Sequence, residues 1–233
     1  MTALVFSPGL FGFSRVRYVL VPRLIETVGM SGTPLSKEMN GGPMWRFEHG
    51  DSGLLTREQR KAMRAFIAAA DGGVTWFDLE LCDLEHAPVA LVGGVRQYGA
   101  SGIPHSDASL FGDHTGYSQD PIINATNVGS WALRATSGRI TTDGGVIQGG
   151  EHFSIEHPNW GHRVYRITTS EQVNSSTYDV TFRPPLREAT AGSTALDFVT
   201  PSCMAQMVNP QQAEPDVEQY GYASVDVTFV EAF

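Results

Sequence analysis

The chain has 233 residues, with 16 basic against 25 acidic side chains and a net charge of −9. A surplus of that sign excludes a general nucleic-acid binder, which needs a cationic face to displace counterions from phosphates, and a polybasic membrane surface. Hydrophobic residues make up 41% and charged residues 18%, which suits one large packed domain or two small ones and excludes wholesale disorder.

With 25 Gly and 13 Pro, the chain is expected to fold as many short elements separated by turns. No run of residues approaches the roughly 18 apolar positions of a membrane span. Met1 to Phe13 has no cationic stretch ahead of an apolar one, so no secretory signal is expected. Cys82 and Cys203 are the two cysteines. They are too few for a four-cysteine metal site and are expected as buried thiols made in a reducing cytoplasm. Without a secretory route, the sequons at Asn124 and Asn174 imply no glycosylation.

Met44 to His49 alternates, with Trp45 and Phe47 on one face and Arg46 and Glu48 on the other, which predicts a strand. A helix follows. Thr56 is placed to cap it, and Gln59 stands at the third helical position, the spacing of a capping box. Met63, Phe66, Ile67 and Ala70 form an apolar stripe, and Asp71-Gly72-Gly73 ends the helix. Val74 to Leu81 alternates again, with Phe77, Leu79 and Leu81 opposite Trp76, Asp78 and Glu80.

From about His86 to Ser202 the texture is β-rich and broken by Gly, Ser, Thr and Asn, with strand-like runs at Val164 to Thr168 and Tyr178 to Phe182 and no convincing second helix. Gly93 to Asp120 lacks periodicity and reads as a long loop or arm. Gln206 to Glu218, with Pro210 and Pro215, is polar and reads as a linker or loop. The C-terminal segment alternates most cleanly: Ala223, Val225, Val227 and Phe229 share one face, and Ser224, Asp226 and Thr228 the other. Such a strand needs partners for its backbone groups.

Signals for chemistry are weak. The sequence has no G-x-S-x-G, no phosphate-loop motif, no H-E-x-x-H and no C-x-x-C. His105, Asp107, Asp113 and His114 have side chains that ligate divalent metals, but they stand in the loop-like segment and are read as solvated. Glu151, His152, Glu156 and His157 form a second polar cluster, with a strand reading of Glu151/Phe153/Ile155 against His152/Ser154/Glu156. No catalytic, cofactor or metal residue is assigned. Among the aromatics of the middle region, Tyr165 and Tyr178 are expected in the core, while Trp131 and Trp160 are candidate carbohydrate contacts, since exposed rings stack on sugar rings.

Charge is unevenly spread. The last 31 residues hold five acidic groups, Glu214, Asp216, Glu218, Asp226 and Glu231, and no Lys or Arg.

The order of these features resembles the distal tail (Dit-like) proteins of long-tailed bacteriophages. The aromatic strand at Trp45 and Phe47 precedes the capped helix with Arg64-Ala65-Phe66, then Gly72-Gly73 and Trp76-Phe77-Asp78-Leu79. In the middle, Pro121 to Asn124 and Trp131 to Gly138 resemble the turn before the family's inserted β-domain. Gly150 to Ile155 followed by Arg163 to Thr168 is similar to one of its strand pairs. Tyr178 to Arg187 resembles its strand ending in Pro-x-Leu-Arg, and Tyr220 to Phe233 its closing strand. The likeness covers about two thirds of the chain, and it lies in the order of the motifs more than in any one of them.

The resemblance implies a mainly β fold: a β-sandwich with one α-helix from residues 1–85 with 203–233, plus an inserted small β-barrel, OB-like, from residues 86–202. It implies a structural role and no enzymatic activity or cofactor. The sandwich would form a homohexameric ring at the distal end of the virion tail. That ring would join the tail tube protein to the hub, tape-measure protein and tail fibres, with a channel through which DNA passes without specific binding. The acidic residues 214, 216, 218, 226 and 231 would be the ring- or channel-facing candidates, repelling DNA. Two other readings compete: a carbohydrate-binding module using Trp131 and Trp160, and an enzyme acting on host envelope polymers through Glu151 and Glu156.

Overall fold

The computed structural model describes residues 4–6, 13–28, 34–38, 41–53, 56–81, 91–92, 95–96, 124–143, 146–208, 210–213, 216–217 and 223–233. The strands are β1 (Leu4–Phe6), β2 (Phe13–Val21), β3 (Leu24–Val28), β4 (Pro34–Glu38), β5 (Met44–Gly53), then helix α1 (Arg57–Ala69) and β6 (Trp76–Glu80). They continue as β7 (Leu91–Val92), β8 (Val95–Arg96), β9 (Ala125–Val128), β10 (Ser137–Thr142), β11 (His152–His157), β12 (Gly161–Asn174) and β13 (Thr177–Arg183). The last are β14 (Ala195–Leu196), β15 (Ser202–Val208), β16 (Asp216–Val217) and β17 (Ala223–Glu231). The fold is mainly β, with one α-helix among the described residues.

The chain divides into two compact units. The first comprises residues 1–83, 157–163 and 202–233, and the second 84–156 and 164–201. Sequence reasoning assigned 157–163 to the middle domain, whereas these residues, at the turn between β11 and β12, belong to the first unit.

The first unit is built on a sheet of order β1-β6-β15-β17-β5-β2, with β16 added on β17. The predicted strands take their places because each has one face that must leave water. Trp45 and Phe47 of β5, Phe77 and Leu79 of β6, and Val225, Val227 and Phe229 of β17 are all buried. Helix α1 covers this face with Met63 and Ile67, and Ala70, which caps its C-terminus, is buried as well. Phe66 packs its ring 4.6 Å from Phe6 and 4.5 Å from Phe77. The helix begins as its sequence dictates: Thr56 accepts from the Gln59 N–H, and the Gln59 side chain accepts from the Thr56 N–H, satisfying two donors that the first turn leaves unpaired. At its end Gly72, at φ 68°, takes the left-handed conformation.

Within Gln206 to Glu218, expected as a linker or loop, the described residues are largely in regular elements. β15 runs on to Val208, a short 3-10 turn spans Pro210–Ala213, and β16 pairs with β17. Polar Gln206 misled the reading. Its neighbours Ala205 and Met207 are buried, while its own side-chain amide donates to the Val74 carbonyl at 3.1 Å.

The second unit holds a six-stranded sheet of order β11-β12-β13-β10-β9-β14. Its two ends meet: Ser154 in β11 and Asp197, just past β14, exchange backbone hydrogen bonds of 2.8 and 2.9 Å. The sheet is thereby nearly a closed barrel. Its interior is aromatic, with Trp131 stacked on Phe182 at 5.3 Å and Phe153, Tyr165 and Phe198 packed around them. The Tyr165 hydroxyl accepts from the Arg187 N–H, and Tyr178 is buried, so both tyrosines are core residues as expected. Helix α1 has no counterpart among the described residues of this unit.

Candidate functional site

Two features of the first unit bear on assembly. Among the described residues, the nine-residue β2 is the last strand of its sheet, and β3–β4 follows after two residues as a separate two-stranded sheet. An end strand offers one line of backbone groups to another chain, and a lone hairpin is at best marginally stable without something to pack on.

The outer face beside this edge carries alternating charge. Arg17 lies 3.6 Å from Glu48, which Arg46 also approaches at 3.0 Å. Arg15 and Asp226 converge above Gly50, where a Cβ would stand 2.6 Å from Arg15 Nη2 and 3.0 Å from Asp226 Oδ1. Glycine at 50 is what lets the two side chains close over the strand. Exposed pairs of this kind contribute little to stability, but they set which partner surface is tolerated.

A second feature is internal. Arg163, at the start of β12, has no exposed surface; its Nη1 donates to the carbonyls of Ala232 and Met204 and lies 3.6 Å from Glu231 Oε1. Glu231 Oε2 accepts from the Trp45 N–H at 3.2 Å. The guanidinium also lies 5.8 Å from the centre of the Trp160 ring and 5.3 Å from that of Phe233. One cation thus ties the 157–163 turn to the C-terminal strand. Beside it, Gly161 at φ 66° passes so close to Met204 that a Cβ would lie 2.9 Å from the Met204 Cγ.

These contacts redistribute the expected site residues. Glu231 is buried and paired with Arg163, so it faces neither a channel nor a partner; this corrects the sequence reading, which saw only an acid without a local cation. Asp226 is exposed, but Arg15 stands beside it, so it is not an isolated negative charge. Asp216 lies in β16 opposite Ser224. Glu214 and Glu218 lie outside the described residues.

Trp131 is also corrected. It is 5% exposed, bridged to Thr190 through its backbone and pressed against Gly138, so its ring has no face to offer a sugar. Trp160 is 37% exposed and its ring centre lies 6.3 Å from that of Phe233. The two candidate rings belong to different units.

The polar cluster at 151–157 does not follow the predicted alternation: His152, Phe153, Ser154 and Ile155 are all buried, and Glu156 is exposed. His152 Nε2 accepts from Arg166 Nε–H at 2.9 Å. Burial pushes the Glu151 carboxyl up to about 7, against the opposing pull of the Gln148 N–H that it accepts at 3.1 Å. Glu151 stands just before β11 and is half-buried, whereas Glu156 lies within β11 and is exposed. His105, Asp107, Asp113 and His114 lie outside the described residues, as does most of Gly93 to Asp120. Among the described residues, no three His, Cys, Asp or Glu side chains group as a metal site.

Sequence reasoning missed Arg163 and the edge position of β2. Arg163 lies 68 positions before Glu231, and only the fold joins them. The edge is a property of strand order, which no local pattern encodes. Set against known proteins, the chain matches no family model and no curated protein.

Proposed function

We propose that this chain is a structural protein of the distal tail type, forming a ring at the tail tip of a long-tailed bacteriophage. The observation that carries the reading is the strand order of the first unit: among the described residues β2 is the last strand of its sheet, and β3–β4 forms a two-stranded sheet of its own. In a ring, sheets of neighbouring subunits can be joined at their end strands, and closure leaves no edge to aggregate.

Connectivity agrees with this reading. Both segments of the second unit, 84–156 and 164–201, lie in the chain between β6 and β15, which are neighbours inside the first unit's sheet, so they interrupt the sequence away from its end strand β2. In this proposal the first unit is a β-sandwich bearing α1, and the nearly closed barrel is OB-like. The ring is homohexameric, sits between tail tube and hub, meets the tape-measure protein and fibres, and leaves a channel for DNA. The channel lining does not include Glu231.

Native mass spectrometry and electron microscopy of the purified chain test the assembly. A closed ring is expected. Replacing Leu24–Glu38 by a short Gly-Ser linker is expected to give a folded monomer. A parent chain that stays monomeric at all concentrations, or a variant that assembles as well as the parent, would contradict the reading.

A further inference from the structure

The outer surface of the barrel carries an open concavity of about 810 Å³. Four strands of the second unit line it, and their registers arrange its side chains in two rows. Val128, Arg139, Asp179 and Glu171 are paired in turn across β9, β10, β13 and β12. Ser137, Thr181 and Thr169 form the next row across β10, β13 and β12. A register shift in β12 between Ile167 and Thr169 brings a third threonine to the same point. The Thr181 Oγ1 lies 2.6 Å from that of Thr168 and 2.5 Å from that of Thr169.

We propose that this concavity is a binding site for a neutral saccharide. Three hydroxyls carry three hydrogens and six lone pairs, so the two contacts among the threonines leave one donor and four acceptor positions for a ligand. Arg139 and Asp179 form a two-pronged pair, with Nε to Oδ1 at 2.7 Å and Nη2 to Oδ2 at 2.8 Å, each about half exposed. The pair fixes unused N–H donors beside unused carboxylate lone pairs, and each hydroxyl of a sugar needs one of each. Val128, 45% exposed at the end of its row, offers the apolar contact for a ring's C–H face.

Other ligand classes fit less well. Arg139 is balanced by Asp179, and Glu171 adds a further negative charge, so phosphates and nucleic acids are disfavoured. Every lining strand has a neighbour on both sides in the order β11-β12-β13-β10-β9-β14, so no backbone edge is presented for an added peptide strand. The volume falls in the range of small-ligand sites, about 300–1,000 Å³.

The site lies wholly within the second unit and does not depend on the ring. Its test is a glycan array probed with the full chain, covering neutral and anionic oligosaccharides, including bacterial surface glycans. Binding to neutral glycans is expected. It should weaken at least about tenfold in Thr181→Val and in Asp179→Asn, because each removes hydrogen-bonding capacity from the site. Ser137→Ala is the third variant, and thermal melts establish that all three are folded. The proposal is overturned by binding only to anionic glycans, by no binding to any neutral glycan, or by binding that folded Thr181→Val and Asp179→Asn retain in full.

Discussion

Arg163 Nη1 lies 3.6 Å from Glu231 Oε1, and neither side chain has any exposed surface. Two charges withdrawn from water are tolerated only together, since either one alone would be a buried ion without its counterion. Arg163→Met and Glu231→Gln are each expected to lower unfolding free energy by about 3 kcal/mol or more. The double variant Arg163→Met/Glu231→Gln is expected to lose less than the two single losses combined. Urea denaturation of the full chain measures all three. Equal losses, adding without coupling, would show that the pair is not what fixes the 157–163 turn to the C-terminal strand.

His49 makes the first unit sensitive to acid. Its ring is buried among Phe6, Phe13, Tyr18 and Phe229, at centroid distances of 5.3 to 6.1 Å, and neither nitrogen has a hydrogen-bond partner among the described residues. Burial lowers its pKa from 6.5 to about 4. The neutral ring therefore supports the fold fully above 6.5, and that support is lost as pH falls toward 4, because the unfolded chain takes up the proton first. The loss reaches about 3 kcal/mol at most. In His49→Leu the fall in the urea midpoint between neutral pH and about pH 4.5 is expected to shrink; an unchanged pH profile would contradict this.

Glu151 acts with the opposite sign in the second unit. Its folded pKa of about 7 lies above the usual 4.5, so its contribution is full below 4.5 and declines as pH rises through 7. Glu151→Gln is expected to stabilise the second unit by about 1–2 kcal/mol near pH 8, after allowance for its partial exposure, and to change nothing near pH 4. Because the His49 and Glu151 effects oppose each other in one pH window, hydrogen exchange read separately for each unit is the measurement that separates them.

Gly138 makes room for Trp131. A Cβ at 138 would stand 2.3 Å from Trp131 Cε2, inside a packed core. Gly138→Ala is expected to cost about 1–3 kcal/mol and to shift tryptophan emission as the ring moves. Gly192→Ala, where the nearest atom would be 3.5 Å from the new Cβ, is the control and is expected to leave emission unchanged. Emission unaltered in both would mean that the ring has space to give.

Much of the first unit was legible locally. The Thr56 and Gln59 spacing specified the capped helix start, and the alternations at 44–49, 76–81 and 223–229 specified strands, because each has one buried face. Burial on both faces erased that signal at His152 to Ile155, where a period of two has nothing to report. Gln206 disguised a strand as a linker by hydrogen-bonding to Val74 from within β15. The site was less legible still. Trp131 looks available for stacking until Gly138 and Phe182 close over it, and Glu231 looks like a surface acid until the fold brings Arg163 to it. The threonine row of the barrel exists only through register and through the shift after Ile167.

Phage particles carrying gold-labelled antibody against this chain, imaged by electron microscopy, test the tail-tip reading most directly. Label at the distal end of the tail is the predicted result. Label on capsids or along the tube, or particles that carry no copy of the chain, would contradict it.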